Sequence, residues 1–155
     1  MGIITDDVEI YDNMRKPINS DERSKRIESA KELYPYYGAT GKVGMIDDYL
    51  FDGEYVLLGE DGAPFLDNTS VKAYIISGKS WVNNHAHVLR SKTNNKFLMY
   101  YLNWFNYFNY VSGTTRLKLN QAMLRKFPFP NMPPEIKEQI VQRIEKAYKI
   151  LESIN

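Results

Sequence analysis

The chain has no cysteine. Disulfides and thiolate metal sites are therefore excluded, and a reducing cytoplasm suits it. No apolar run approaches the length of a membrane span, so no membrane role is expected. The opening Met-Gly-Ile-Ile-Thr-Asp lacks a basic region and an apolar core, so no signal peptide is expected there. Acid is absent from one long stretch. Asn68–Pro134 holds no Asp or Glu, yet carries Lys72, Lys79, Arg90, Lys92, Lys96, Arg116, Lys118, Arg125 and Lys126. The preceding window, Val43–Asp67, is the reverse: it holds Asp47, Asp48, Asp52, Glu54, Glu60, Asp61 and Asp67 without a Lys or Arg. The whole chain balances at a net charge of +1, so the asymmetry is local. A basic, acid-free run of this length points to a nucleic-acid face. Scattered surface lysines are the plainer alternative.

What is present fits one globular domain with a core. The 155 residues are 43% hydrophobic and 25% charged, with twelve tyrosines and seven phenylalanines. Val8–Tyr11 reads as a strand. Asp12–Lys31 shows no apolar stripe and reads as surface, with Ser20-Asp21-Glu22-Arg23 able to open a short helix. Tyr34–Gly44 reads as a loop built on Gly38, Gly41 and Gly44. It fails the phosphate-loop spacing, so no nucleotide triphosphate site is expected. Glu54–Leu58, Val71–Ile76 and Ala86–Leu89 read as short strands between turns. Thr93–Val111 reads as a helix capped by Thr93 or Asn94. Its stripe of Phe97, Tyr101, Phe105 and Phe108, widened by Leu98, Leu102 and Trp104, faces the core. Gly113 suits a helix stop, and Asn120 can cap Gln121–Lys126, burying Met123, Leu124 and Phe127.

Two clusters invite a catalytic reading. The acids from Asp47 to Asp61 can hold a metal, but they lack the Glu-x-Lys partner of a common nuclease core and read as a solvated sheet edge. His85 and His87 would share one face of a strand, yet no third ligand lies near them in sequence. No metal and no catalytic residue is expected. A metal-dependent nuclease using Asp47, Asp48, Asp52 or Glu60 with both histidines is kept as a rival. A pure assembly module with an incidental basic face is the other. Its basis is the C-terminal part, where Ile140, Ile144, Ala147, Leu151 and Ile154 alternate at spacings of four and three. That is a coiled-coil seam about two heptads long, and it needs a partner helix.

The fold expected is α/β in the mixed α+β sense. Residues 1–130 form a globular head with a small mixed or antiparallel sheet and helices. Residues 131–155 form a proline-punctuated connector and a coiled-coil-type helix. The stretch Ser112–Glu135 joins the two.

Several segments, in order, resemble the target recognition domain of type I restriction–modification specificity (S) subunits. They are Arg15-Lys16-Pro17-Ile18, Tyr34–Gly44, Phe51–Tyr55 with Gly59–Gly62, Val82–Leu89 and Gly113–Pro134. Each motif alone is loose; the ordered set is specific. The resemblance implies sequence-specific duplex DNA recognition without catalysis by this chain, each domain reading one half of a bipartite site. It implies that methyltransferase (M) subunits bind the S subunit and restriction (R) subunits join them. S-adenosylmethionine and Mg belong to those partners, and this chain has no cofactor. Family members usually carry two such domains whose helices pair antiparallel. With one domain and a shorter helix, this chain is a half-subunit that forms a homodimer through that helix, or a fragment. Within this frame Lys42, Lys92 and Arg125 are expected to meet phosphates. Thr40, Asn84, His85, Thr115 and Arg116 are expected to meet base edges, with Thr114 and Lys118 beside them.

Overall fold

The computed structural model describes residues 1–154. In chain order its elements are β1 (Gly2–Ile3), β2 (Val8–Ile10), α1 (Ser20–Glu28), β3 (Tyr34–Tyr37) and β4 (Lys42–Ile46). Next come β5 (Phe51–Asp52), β6 (Tyr55–Gly59), β7 (Ala73–Ile76), β8 (Lys79–Val82) and β9 (Ala86–Ser91). The last are α2 (Asn95–Trp104), α3 (Gln121–Leu124), β10 (Pro128–Phe129) and α4 (Pro134–Ile154). No helix among the described residues is long and apolar enough to cross a membrane.

Two four-stranded sheets form the head. One is antiparallel throughout, in the order β2-β9-β6-β7. The other runs β4-β3-β8-β5 and is mixed, because β3 and β8 are parallel. The short β1-β10 pair ties the N-terminal residues to the connector. β6 is apolar at every position, Tyr-Val-Leu-Leu-Gly, because both of its faces are covered. Side chains alternate along a strand. Val56 and Leu58 therefore join the large core under α2 and the aromatic loop, whereas Tyr55 and Leu57 join a second core with Phe51, Val82 and Val88. A third, small cluster of Tyr36, Ile46 and Trp81 lies on the mixed sheet.

Several sequence expectations change here. Tyr34–Gly44 is not a glycine loop: β3 and β4 form an antiparallel hairpin whose tip is Gly38–Gly41. The segment Asp12–Lys31 is not merely surface, because Asp12 is buried. α1 does form, and the Asn19 side chain accepts the Glu22 N–H at 2.8 Å. α2 is shorter than expected. Asn94 caps it by accepting from the Phe97 N–H, and it stops at Trp104 because Phe105 turns extended. That break lets Phe105 and Tyr107 both enter the core, while Trp104 and Phe108 stay 77% and 70% exposed. Asn120 caps α3 as expected, with Leu124 and Phe127 buried and Met123 partly so.

α4 begins on Pro134, a residue preorganised for a first helical turn. Its first half docks on the head. Val141 is fully buried, and Lys137 is buried with its Nζ on Thr93 Oγ1 at 2.9 Å and 3.7 Å from Asp7. The Tyr100 and Tyr148 rings stack at 6.1 Å. Along the expected seam, Ile140 and Ile144 are half-buried against the head, whereas Ala147, Leu151 and Ile154 are exposed.

Candidate nucleic-acid interface

One end of the head is built from four loops: Gly38–Gly41, Glu60–Gly62, Asn83–His85 and Ser112–Lys118. Backbone hydrogen bonds tie them. The Glu60 N–H donates to the His85 carbonyl at 2.8 Å, and Leu119 N–H donates to Glu60 at 2.6 Å. Gly62 N–H donates to Leu117 at 2.9 Å, and Ser112 and Lys118 exchange a reciprocal pair at 2.9 Å. The hairpin tip joins them, since Tyr74 Oη donates to the Gly38 carbonyl at 2.6 Å and the Asn83 N–H donates to Tyr37 at 3.1 Å. Gly113 has φ +98°, and a Cβ there would stand 2.6 Å from the Arg116 carbonyl oxygen, so glycine is required for this loop to close.

Gly59 sits where the Gly38–Gly41 tip meets the start of the Glu60–Gly62 loop. A Cβ on it would lie 2.5 Å from Ala63 Cβ and 3.2 Å from the Ala39 carbonyl. Gly59→Ala is therefore expected to overpack the junction and lower stability by about 1–3 kcal/mol. Urea unfolding reads this directly, and an unchanged midpoint would show that the loops part freely.

The face carries Thr40, Lys42, Asn84, Thr114, Thr115 and Lys118, all exposed, and His85, half-exposed. Arg116 has 65% of its side chain exposed. Arg125 follows α3 and is exposed, its Nε donating to Gln121 Oε1 at 3.0 Å, while Gln121 reaches back to Asp12. Lys92 is not brought here. It follows β9 at the end opposite His85, one six-residue strand or about 20 Å away.

The acid-free run of the sequence is likewise not one surface. Lys72 is buried, with its Nζ on the Asn103 carbonyl at 3.3 Å. Lys79 lies at the far end of β8, over Tyr49. Arg90 stacks on Tyr55 at 4.2 Å, and Lys96 pairs with Glu145 at 3.2 Å. The strands fold these bases to different sides, so Arg116, Lys118 and Arg125 are the members of that run near the loops.

Acids that looked like a solvated edge are placed among the bases. Asp61 Oδ1 accepts from His85 Nδ1 at 2.6 Å and from Arg116 Nη2 at 3.3 Å. Burial pushes its carboxyl up, but the hydrogen bonds and charges of His85 and Arg116 outweigh this and hold it below the usual carboxylate range. Beneath lies a second cluster. His87, fully buried, places Nδ1 2.7 Å from Asp12 Oδ2 and Nε2 2.7 Å from the Leu119 carbonyl. Asp12 also accepts from the Val88 N–H at 2.9 Å and from Gln121 Nε2 at 3.1 Å. Arg15 lies 3.4 Å from Glu60, 3.9 Å from Asp12 and 2.9 Å from the Ala86 carbonyl. The two histidines thus serve separate clusters, His85 lying just before β9 and His87 within it.

Asp12, Glu60 and His87 bring three ligand-type atoms within 4.8 Å of one another. Their chemistry does not suit a metal. Both His87 nitrogens are spent on acceptors, and the Arg15 guanidinium already supplies the cation between the two carboxylates. The nuclease set is not assembled either, since Asp47 pairs with Arg26 at 2.7 Å and Asp52 lies in β5, beside Lys79. Asp12, Arg15, Glu60 and Gln121 were not legible as one site. They are 109 residues apart at the extreme, and no spacing marks them.

A family model described as the type I restriction modification DNA specificity domain matches residues 6–155. A protein of Haemophilus influenzae, described as a type I restriction enzyme specificity subunit (S.HindORF215P), is 37% identical over 138 residues. That match covers 88% of this chain and 34% of the relative, so the chain spans about a third of its length. The fold is similar to the crystal structure of a type I restriction–modification S subunit from M. genitalium, with TM-score 0.66 and 14% identity, over 97% of this chain and 39% of that one. It is also similar to a chain solved to explain complex assembly and conformational transition of the type I R-M system, with TM-score 0.69 and 14% identity, over 99% of this chain and 39% of that one. The mixed head and its C-terminal helix are those of S subunits, and the chain belongs to the type I restriction–modification DNA specificity domain family.

Proposed function

We propose that this chain reads one half of a bipartite duplex DNA site, as the specificity component of a type I restriction–modification system. The observation that supports it best is the loop end of the head. There Thr40, Asn84, His85, Thr115 and Arg116 lie exposed or half-exposed beside Lys42, Lys118 and Arg125, while Asp12 and Glu60 beneath them are matched by His87 and Arg15. Lysines and Arg125 position the duplex through its phosphates, and the polar loop side chains face base edges. Cutting and methylation belong to partner R and M subunits, with S-adenosylmethionine and Mg held there. Such a role places the chain in the cytoplasm, where the DNA is. The exposed Ala147, Leu151 and Ile154 suit the arm to a second helix, either of a longer S subunit or of another copy. Residues 1–130 then act as the reading head and 131–155 as connector and arm.

Two substitutions test the division of labour by duplex titration at about 50 and 200 mM salt. Arg116→Ala is expected to cost about 1–3 kcal/mol on the preferred site and to relax selectivity at one position. Lys118→Ala is expected to weaken binding evenly on all sequences and to lower the salt slope by about 1. Binding that is absent even at low salt, from a folded chain, would reject the reading and leave an assembly module.

A further inference from the structure

We infer that Asp61 is itself a base-reading residue, and that with Arg116 it recognises the major-groove edge of a G·C pair. The inference rests on the reading of the loop face as a duplex-DNA surface, and it adds a residue and a ligand chemistry to that reading.

Three observations carry it. First, both contacts to the Asp61 carboxylate converge on Oδ1, from His85 Nδ1 at 2.6 Å and Arg116 Nη2 at 3.3 Å. Oδ2 receives no hydrogen bond among the described residues, and 23% of the side chain remains exposed. An ionised carboxylate only accepts, so Oδ2 is an unused acceptor on a face otherwise rich in donors. Second, that acceptor is rigidly placed. The Glu60 and Gly62 backbones are tied to His85, Leu117 and Leu119, so Asp61 is held from both sides. A carboxylate so fixed repels phosphates. Its partners on DNA are the amino groups of adenine or cytosine.

Third, the order of donor and acceptor matches one base pair. The major-groove edge of G·C presents two acceptors, guanine N7 and O6, and then the cytosine N4 donor. An A·T pair presents acceptor, donor, acceptor. A guanidinium fork needs two adjacent acceptors, which guanine supplies, and the group beside it must then accept. Arg116 Nη2 stands 3.3 Å from Asp61 Oδ1. Guanine O6 and cytosine N4 are themselves hydrogen-bonded, about 2.9 Å apart. A donor beside an acceptor on the protein thus faces an acceptor beside a donor on the base edge, with Asp61 Oδ2, which takes no hydrogen bond among the described residues, as the acceptor for cytosine N4. On A·T the adenine amino group would oppose the guanidinium.

The test is a parallel selection of randomised duplex DNA on the wild-type chain and its Asp61→Asn, Arg116→Ala and doubly substituted forms, with thermal unfolding of each. The wild-type motif is expected to contain a G·C pair. Asp61→Asn and Arg116→Ala are each expected to weaken preference at that same pair by about 5- to 150-fold, leaving other positions intact. Arg116→Ala should retain a residual preference for C that the double substitution removes. Three results overturn the inference: an unchanged Asp61→Asn motif, relaxation at two different pairs, or complete loss of the preference in Arg116→Ala alone. The last would make Asp61 only a brace for Arg116. A wild-type chain that is folded and enriches no motif would instead reject DNA reading itself, and the inference with it.

Discussion

Asp12→Ala is expected to lower the unfolding free energy by about 3–5 kcal/mol. Asp12 is 6% exposed, and its carboxylate accepts from His87, the Val88 N–H and Gln121. His87 is fully buried, and its ring nitrogens lie 2.7 Å from Asp12 Oδ2 and 2.7 Å from the Leu119 carbonyl. Removing Asp12 leaves His87 Nδ1 and the Val88 amide without their partner in the core. Leaving one partner of a buried pair unmatched costs more than the net worth of the pair. Acid should reproduce part of the effect. Burial raises the Asp12 carboxyl, but His87, Val88 and Gln121 together hold it below its ordinary value. A carboxyl depressed by folding contributes stability above its unfolded pKa of about 3.9, and that contribution is lost as pH falls through the folded value. Urea unfolding across pH should show a steeper acid loss in the wild type than in Asp12→Ala. A cost below about 1 kcal/mol would mean that the cluster is hydrated and not a buried pair.

Phe127→Ala follows, also at about 3–5 kcal/mol. Phe127 is fully buried, just before Pro128. It stacks on Phe105 at 4.2 Å and meets Tyr107 and Tyr110 edge-on at 5.7 and 4.8 Å. Its carbonyl also accepts the Ile4 N–H at 2.9 Å. The truncation leaves a cavity at the point where the Arg116 loop, the N-terminus and the α4 connector meet. The unfolding midpoint should drop. Base selectivity of the molecules that remain folded should not change, because Phe127 is fully buried and packs on Phe105, Tyr107 and Tyr110. Altered selectivity would show that this aromatic cluster sets the loop geometry.

Local chemistry was legible where one residue acts on its own neighbours. Asn120 read as a cap, and Thr93 or Asn94 as another, because such side chains satisfy amides three residues on, as Asn120 and Asn94 do. The seam in α4 was legible as a period, although not which half would be covered. Short-range reading failed where a feature depends on pairing. The Gly38–Gly41 turn looked like a loop because its strands are aromatic, glycine-bearing and dependent on β8 for company. The helix to Val111 broke at Trp104 because burying both Phe105 and Tyr107 requires a turn, which no periodicity reveals. Basic residues close in sequence dispersed because successive strand ends lie on opposite sides of a sheet. Asp12, Glu60, His87 and Gln121 became one cluster through the sheet order alone. Asp61, read as surface acid, is the only carboxylate bonded to both His85 and Arg116 among the described residues.

The most direct test of the central claim is amide hydrogen exchange of this chain, free and with an enriched duplex, read by segment. If the loop end reads DNA, protection should rise at 38–42, 60–62, 83–85 and 113–118. The exposed side of α2 and the distal half of α4 should then be unchanged. Protection confined to α2 and α4, with the four loops unaltered, would contradict the account and move the DNA, or the role, to the other side of the molecule.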